Sequence, residues 1–95
     1  MRITENMRNF FRSEVKNIDR DAKVYLFGSR ADDHKKGGDI DILILSKQKI
    51  KPENITKLRI KFFDTFGEQK LDIVNFTFDE KSAFKDLILL DAILL

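Results

Sequence analysis

The sequence predicts a small α/β (α+β) domain, in which helices pack on one small mixed or parallel β-sheet. Apolar residues recur at helical spacing in the first, middle and last stretches of the chain. Short runs of β-prone residues alternate with those stretches, and Gly or Pro stands at several of the boundaries. Together these observations predict the order helix, strand, short helix, strand, helix, strand, helix.

Length and composition favour a single globular domain over residues 1–95. Hydrophobic residues make up 42% of the chain and include nine Phe, enough for a core, which excludes a disordered chain. The net charge of +2 is too small to indicate nucleic-acid binding, so we expect nucleic-acid contact to be indirect at most. The absence of cysteine excludes disulfide scaffolds and cysteine-based zinc sites. No apolar run reaches the roughly 20 residues of a membrane span, so we expect a soluble, cytoplasmic protein without membrane contact.

The first half of the chain is predicted to contain a helix, a strand, a short helix and a second strand. An amphipathic helix is expected near residues 4–18, with Thr4 as its cap. A short strand follows over Lys23–Phe27 and ends at Gly28. Residues 29–33 are expected to form a turn of helix, and the polar segment 32–38 a loop. The clearest strand is Asp39–Leu45, whose alternate residues are apolar on both faces, as in a central strand covered on both sides.

The second half is predicted to contain a helix, a third strand and a last helix. Pro52 stands where a helix can begin, and Gly67 stands where it can end. Leu71–Phe76 reads as the third strand, and the chain from about Asp79 to its end as helix. Eight of the nine residues in Leu87–Leu95 are apolar, more than one buried stripe needs. We therefore expect this C-terminal apolar helix to form a surface for a homo- or hetero-oligomer, with core burial as the alternative.

Two carboxylates share one face of the central strand. Asp39 and Asp41 are two residues apart, which places them roughly 6–7 Å from each other along a strand. At an effective dielectric constant of about 20 their repulsion is on the order of 2 kcal/mol. A divalent cation would remove this repulsion, and Mg²⁺ prefers such oxygen ligands. The alternative is that both are solvated residues at the junction of loop and strand.

The turn after the first strand suits a phosphate group. Gly28 permits a sharp turn and the close approach of a ligand, Ser29 offers backbone and hydroxyl donors, and Arg30 adds positive charge. By itself this is also an ordinary strand-to-helix turn. Asp72 is the third element, because a carboxylate among apolar strand residues is poorly placed for a structural role. If its strand lies beside the central strand, Asp72 completes a three-carboxylate cluster; otherwise it is a solvent-facing residue on an edge strand.

These motifs resemble one known superfamily. Leu26–Ala31, Gly38–Ile42 and Leu71–Val74 together are similar to the pattern of the polymerase-β-type nucleotidyltransferases, and the small size resembles the minimal nucleotidyltransferases in particular. The resemblance implies a nucleotidyltransferase-like fold, ATP as the substrate and Mg²⁺, in a two-metal arrangement. It further implies that Asp39, Asp41 and Asp72 are catalytic metal ligands. Gly28, Ser29 and Arg30 would bind the nucleotide.

The resemblance also implies a partner. Minimal nucleotidyltransferases pair with a helical HEPN-type toxin, which they neutralise by transfer of AMP to a tyrosine hydroxyl, by tight binding, or both. The first hypothesis is therefore an antitoxin that transfers AMP from a nucleoside triphosphate to its toxin partner. The alternatives are a non-catalytic antitoxin that covers its partner sterically, and a nucleotidyltransferase acting on a small molecule or an RNA end.

Overall fold

The computed structural model describes residues 2–32 and 38–95, and its elements follow the predicted order until the last segment. They are α1 (Glu5–Ile18), β1 (Lys23–Phe27), a single 3₁₀ turn (Gly28–Ala31), β2 (Ile40–Ser46), α2 (Pro52–Phe66), β3 (Leu71–Thr77), α3 (Ala83–Leu89) and β4 (Ile93–Leu94). Most of the predicted loop at 32–38, and the last residue of the predicted short helix at 29–33, lie outside the described residues.

The strands form one mixed sheet in the order β3-β2-β1-β4. β2 pairs with β3 in parallel, whereas β1 is antiparallel to both β2 and β4. A parallel pair needs a crossover, and α2 supplies it. The predicted class, with helices packed on a small mixed sheet, is confirmed, and β2 is an interior strand as expected.

The two faces of β2 enter two separate apolar cores. The side chains of Ile40, Ile42 and Ile44 pack in a core with residues of α1 and α2. Leu43 and Leu45 pack on the opposite face with residues of α3 and of the neighbouring strands. Because Asp39 and Asp41 alternate with the isoleucines, they belong to the face that carries α3. The larger core contains a cluster of phenylalanines, in which the rings of Phe11 and Phe62 stack at 5.2 Å.

Predicted signals set the ends of the first two long helices. The Thr4 hydroxyl accepts a hydrogen bond from the Met7 N–H at 3.1 Å and caps α1. Pro52 is the first residue of α2, and Gly67 ends that helix with a φ of +88°. That backbone conformation favours glycine, since other residues adopt it at a cost.

The prediction that the chain is helical from about Asp79 to Leu95 is wrong at both ends. α3 begins only at Ala83, after its cap Ser82, and ends at Leu89. Ile93 and Leu94 then pair with Leu26 and Tyr25 as a short strand on the outer edge of β1. A strand edge leaves unpaired backbone groups, and the apolar end of the chain satisfies some of them. Periodicity cannot distinguish such a short apolar run from a buried helix.

A buried lysine anchors α3 to the end of β3. The ammonium group of Lys85 donates hydrogen bonds to the carbonyl oxygens of Thr77, Phe78 and Glu80 at 3.1, 2.8 and 2.9 Å. Only 8% of this residue is exposed. All three ammonium protons are therefore used inside the protein, and the connection between β3 and α3 is fixed. In residues 2–32 and 38–95, none of the helices has the length and apolarity that crossing a membrane requires.

Candidate functional site

Gly28 follows β1 directly and touches a carboxylate of the neighbouring strand. Its φ is +73°, in the region that favours glycine. Phe27 is paired with Asp41, so the turn begins beside that aspartate. A methyl group at position 28 would overlap the Asp41 carboxylate and lie 3.1 Å from its Cγ. The absence of a side chain at Gly28 therefore allows the Asp41 carboxylate to lie against the turn.

Arginine side chains brace the turn from two sides. The backbone N–H of Arg2 donates to the Arg30 carbonyl oxygen at 2.8 Å. In return, the side-chain Nη1 of Arg30 donates to the Arg2 carbonyl oxygen at 2.9 Å. Arg2 Nη2 reaches the Ser29 carbonyl at 2.9 Å. Arg30 Nη2 donates to the Gly38 carbonyl at 2.8 Å, across to the start of the β2 segment. These bonds fix the geometry of the turn. Two nitrogen atoms of the Arg30 guanidinium thus already donate to backbone carbonyls. The contact of Arg30 with a nucleotide stays a prediction.

Ser29 lies half-buried in this braced turn. Among the described residues, no hydrogen bond uses its hydroxyl group, while its carbonyl is held by Arg2. The hydroxyl is accordingly available to a ligand that approaches the turn.

The parallel pairing of β2 and β3 brings the predicted carboxylates together. Asp41 and Asp72 are direct partners in the register, on strands about 4.8 Å apart. Asp39 immediately precedes β2 on the same face. Burial raises the pKa of Asp41, and repulsion from Asp72 and Asp39 together with a hydrogen bond to the Asp72 side chain raises it further. The cluster therefore holds more negative charge than its surroundings neutralise.

Lys70 is a member of the site that the sequence reasoning missed. Its Nζ lies 3.4 Å from Asp39 Oδ2 in a largely exposed ion pair. Its positive charge also opposes the upward shift of the Asp41 pKa. Lys70 and Asp72 are alternate residues, so they share a face, and this spacing could have placed the lysine at the site. Lys70 partly offsets the negative charge of the three carboxylates.

The cluster supplies hard oxygen donors of the kind that Mg²⁺ prefers. Asp39, Asp41 and Asp72 are the residues that could hold such an ion, next to the turn that begins at Gly28. As the side chains stand, residues 2–32 and 38–95 contain no group of three or more Asp, Glu, His or Cys already arranged around a metal position. The oxygen donors and the excess negative charge fit a divalent cation. Because Asp39 is paired with Lys70, its carboxylate would have to leave this ion pair to bind the metal.

Solved structures with the same fold include toxin–antitoxin complexes. A chain of the MntA–HpeT toxin–antitoxin complex, in a mutant form, matches with a TM-score of 0.70 at 16% identity, over 92% of this chain and 70% of that one. A complex of a tri-AMPylated HEPN toxin with the MNT antitoxin from Shewanella oneidensis matches with a TM-score of 0.70 at 16% identity, over 97% and 71% of the chains. At these identities the likeness concerns the fold.

A third structure and the family comparison identify the type of domain. A candidate nucleotidyltransferase from Sulfolobus solfataricus is 29% identical, with a TM-score of 0.50 over 94% of this chain and 78% of that one. No curated protein matches the chain significantly. The sequence model of the family described as polymerase beta, nucleotidyltransferase, matches residues 5–95. This chain therefore belongs to the polymerase-β nucleotidyltransferase family.

Proposed function

We propose that this protein transfers AMP from ATP to a tyrosine hydroxyl of a HEPN-type toxin and acts as its antitoxin in the cytoplasm. One observation carries the proposal: the Gly28 turn stands against Asp41, which lies directly beside Asp72. A turn with a hydroxyl donor that is unused among the described residues, that of Ser29, next to a carboxylate cluster suits a metal-bound triphosphate. The choice of partner is supported by the fold neighbours, one of which is a complex with a tri-AMPylated HEPN toxin.

Each residue of the site has its own role in the proposed transfer. Asp39, Asp41 and Asp72 would hold Mg²⁺, which supplies charge neutralisation of the triphosphate. Ser29 and the backbone N–H groups of its turn would hold phosphate oxygens. Asp72 is the most exposed of the three carboxylates and so is best placed to take the proton of an incoming hydroxyl. The hydroxyl oxygen then bonds to the α-phosphorus, the bond between the α- and β-phosphates breaks, and pyrophosphate leaves.

Carboxylate substitutions test the catalytic part. The purified chain is mixed with its toxin partner, ATP and Mg²⁺, and the toxin is weighed by intact-protein mass spectrometry. We expect the mass of AMP on the toxin with the unaltered chain, and none with Asp39→Asn or Asp41→Asn. Asp64→Asn is the matched control, because Asp64 is exposed on α2, away from the cluster. Labelling that is unchanged in the first two variants would contradict the proposal.

A steric antitoxin is the second candidate, because α3 and the chain end expose large apolar side chains. Leu87, Leu90 and Leu94 are 64%, 75% and 55% exposed. Such a surface favours association with another protein. It extends from α3, which lies on the face of the sheet that carries the carboxylates, so a partner bound there would come near them.

Neutralisation of toxin activity separates the two candidates. A steric antitoxin requires that Asp39→Asn and Asp41→Asn still neutralise, and that Leu90→Ser combined with Leu94→Ser abolishes neutralisation. Ile60→Ser is the control, because Ile60 is 53% exposed on α2. If the carboxylate variants lose neutralisation while they still bind the toxin, the catalytic antitoxin is favoured.

A further inference from the structure

We propose that a groove between α1 and the start of β1 binds an acidic, partly apolar segment of another protein. The groove has a volume of about 310 Å³ and is bordered by Arg12 and Lys16 of α1, by Arg20, and by Lys23 of β1. This size accommodates a few side chains of a bound peptide. The proposal goes beyond the transfer reaction and concerns a surface other than the carboxylate cluster, although Leu94 borders both the groove and the exposed apolar surface.

In the described parts of the chain, three of the four cationic side chains at the groove have no anionic partner, and the fourth, Arg20, interacts with its neighbour Asp21. Arg12, Lys16 and Lys23 are exposed, as is Arg20, and no ion pair within 4 Å is formed by any of them in the described parts of the chain. The one carboxylate that lines the groove, Asp21, is already bound by Lys47 at 2.7 Å. Positive charges gathered in a cleft without counter-charges attract an anionic ligand. Electrostatic complementarity therefore selects an acidic occupant.

The floor of the groove distinguishes a protein segment from a nucleic acid. Val15, Val24 and Leu95 contribute buried apolar surface between the cationic side chains. Among the described residues, none that lines the groove is aromatic, whereas single-stranded nucleic acids are generally held by stacking of bases on aromatic side chains. An apolar floor under a cationic rim fits a segment in which acidic and apolar residues alternate, because alternate side chains of an extended peptide point to opposite sides.

The groove is remote from the carboxylates. Lys23 begins β1 and Gly28 follows its end, five residues and roughly 16 Å further along the strand. A segment bound in the groove leaves the turn and Asp41 accessible. Failure of the groove proposal therefore has no bearing on the transfer reaction, and the reverse also holds.

Peptide binding with charge-reversed variants tests the groove. The probe is a fluorescein-labelled octapeptide of alternating Glu and Leu, and its fluorescence anisotropy is measured against the full chain at low ionic strength. We expect Arg12→Glu combined with Lys23→Glu to weaken binding at least about tenfold. The control is Lys57→Glu combined with Lys81→Glu, which changes the net charge equally at exposed positions outside the groove and should weaken binding no more than about threefold.

Three results would overturn the proposal. The first is no binding of the octapeptide, and the second is equal weakening by the groove and control pairs, which would indicate only a general charge effect. The third is tighter binding of a labelled uridine dodecamer than of the peptide, with the same dependence on Arg12 and Lys23, which would identify a nucleic-acid site. Arg12→Gln combined with Lys23→Gln should give a smaller loss in the same direction, and urea unfolding of every variant verifies that the chain is folded.

Discussion

Replacement of Gly28 by alanine tests the contact between the turn and the carboxylate cluster. The φ of +73° costs an L-residue about 1–2 kcal/mol of stability. The added methyl group would also overlap the Asp41 carboxylate and lie 3.1 Å from its Cγ, so that the carboxylate must move. A displacement of about 1 Å at a reacting centre lowers a rate about 100-fold. We therefore expect a loss of AMP transfer much larger than the loss of stability suggests.

Gly67→Ala is the matched control for this substitution. Gly67 has a φ of +88° and a ψ of 160°, a conformation essentially confined to glycine, but an added methyl group there would meet nothing within 4 Å. The backbone cost should be on the order of 1–3 kcal/mol, without any effect on the carboxylates. Gly67 ends α2 and does not belong to the site.

The assay measures stability and activity on the same preparations. Urea unfolding gives the free energy of unfolding, which should fall in both variants. Mass spectrometry of the toxin partner gives the rate of AMP transfer, which should fall about 100-fold for Gly28→Ala and stay near the original rate for Gly67→Ala. Equal rates for the two variants would contradict the expectation that a methyl group at position 28 displaces the Asp41 carboxylate.

Three further predictions concern charge and hydrogen bonding. The pKa of Asp41 is higher in the folded protein than in the unfolded chain. The free energy of unfolding therefore falls as the pH rises from the pKa of Asp41 in the unfolded chain to its pKa in the folded protein. Asp41→Asn should raise the free energy of unfolding of the metal-free protein at neutral pH and leave it unchanged near pH 3, as measured by urea unfolding. Lys70→Met should raise Mg²⁺ affinity a few-fold in calorimetry, since Lys70 competes for Asp39 at 3.4 Å; equal or lower affinity would contradict this. Lys85→Met should lower the free energy of unfolding by about 2–4 kcal/mol in urea unfolding, because three carbonyls lose their donor.

The local signals in the sequence were sufficient for the first two long helices and the three longer strands. Thr4, Pro52 and Gly67 act within a few residues of their own positions, so their effect is visible in the sequence. The end of the chain was mispredicted because Ile93 and Leu94 adopt their conformation from β1, a distant partner. Tertiary pairing overrode an apolar pattern that fits a helix equally well.

The site shows the same division between local and distant information. Spacing alone placed Asp39 and Asp41 on one face, but Asp72 could be assigned only on the condition that its strand lies beside β2, which the parallel register provides. The positions of the Arg30 donors could not be predicted, because they depend on how Arg2 and Gly38 approach the turn. Lys70 was missed because a lysine before a strand is ordinarily a solvated residue.

The parallel pairing of β2 with β3 also has a consequence for folding kinetics. Asp41 and Asp72 meet only after α2 has crossed over the sheet, so the cluster depends on contacts of long sequence separation. A ligand that needs both strands can bind only after the chain between them has been closed into a loop. A ligand held between the two strands should therefore lower the unfolding rate and leave the refolding rate nearly unchanged. Its effect would then be an increase in kinetic stability.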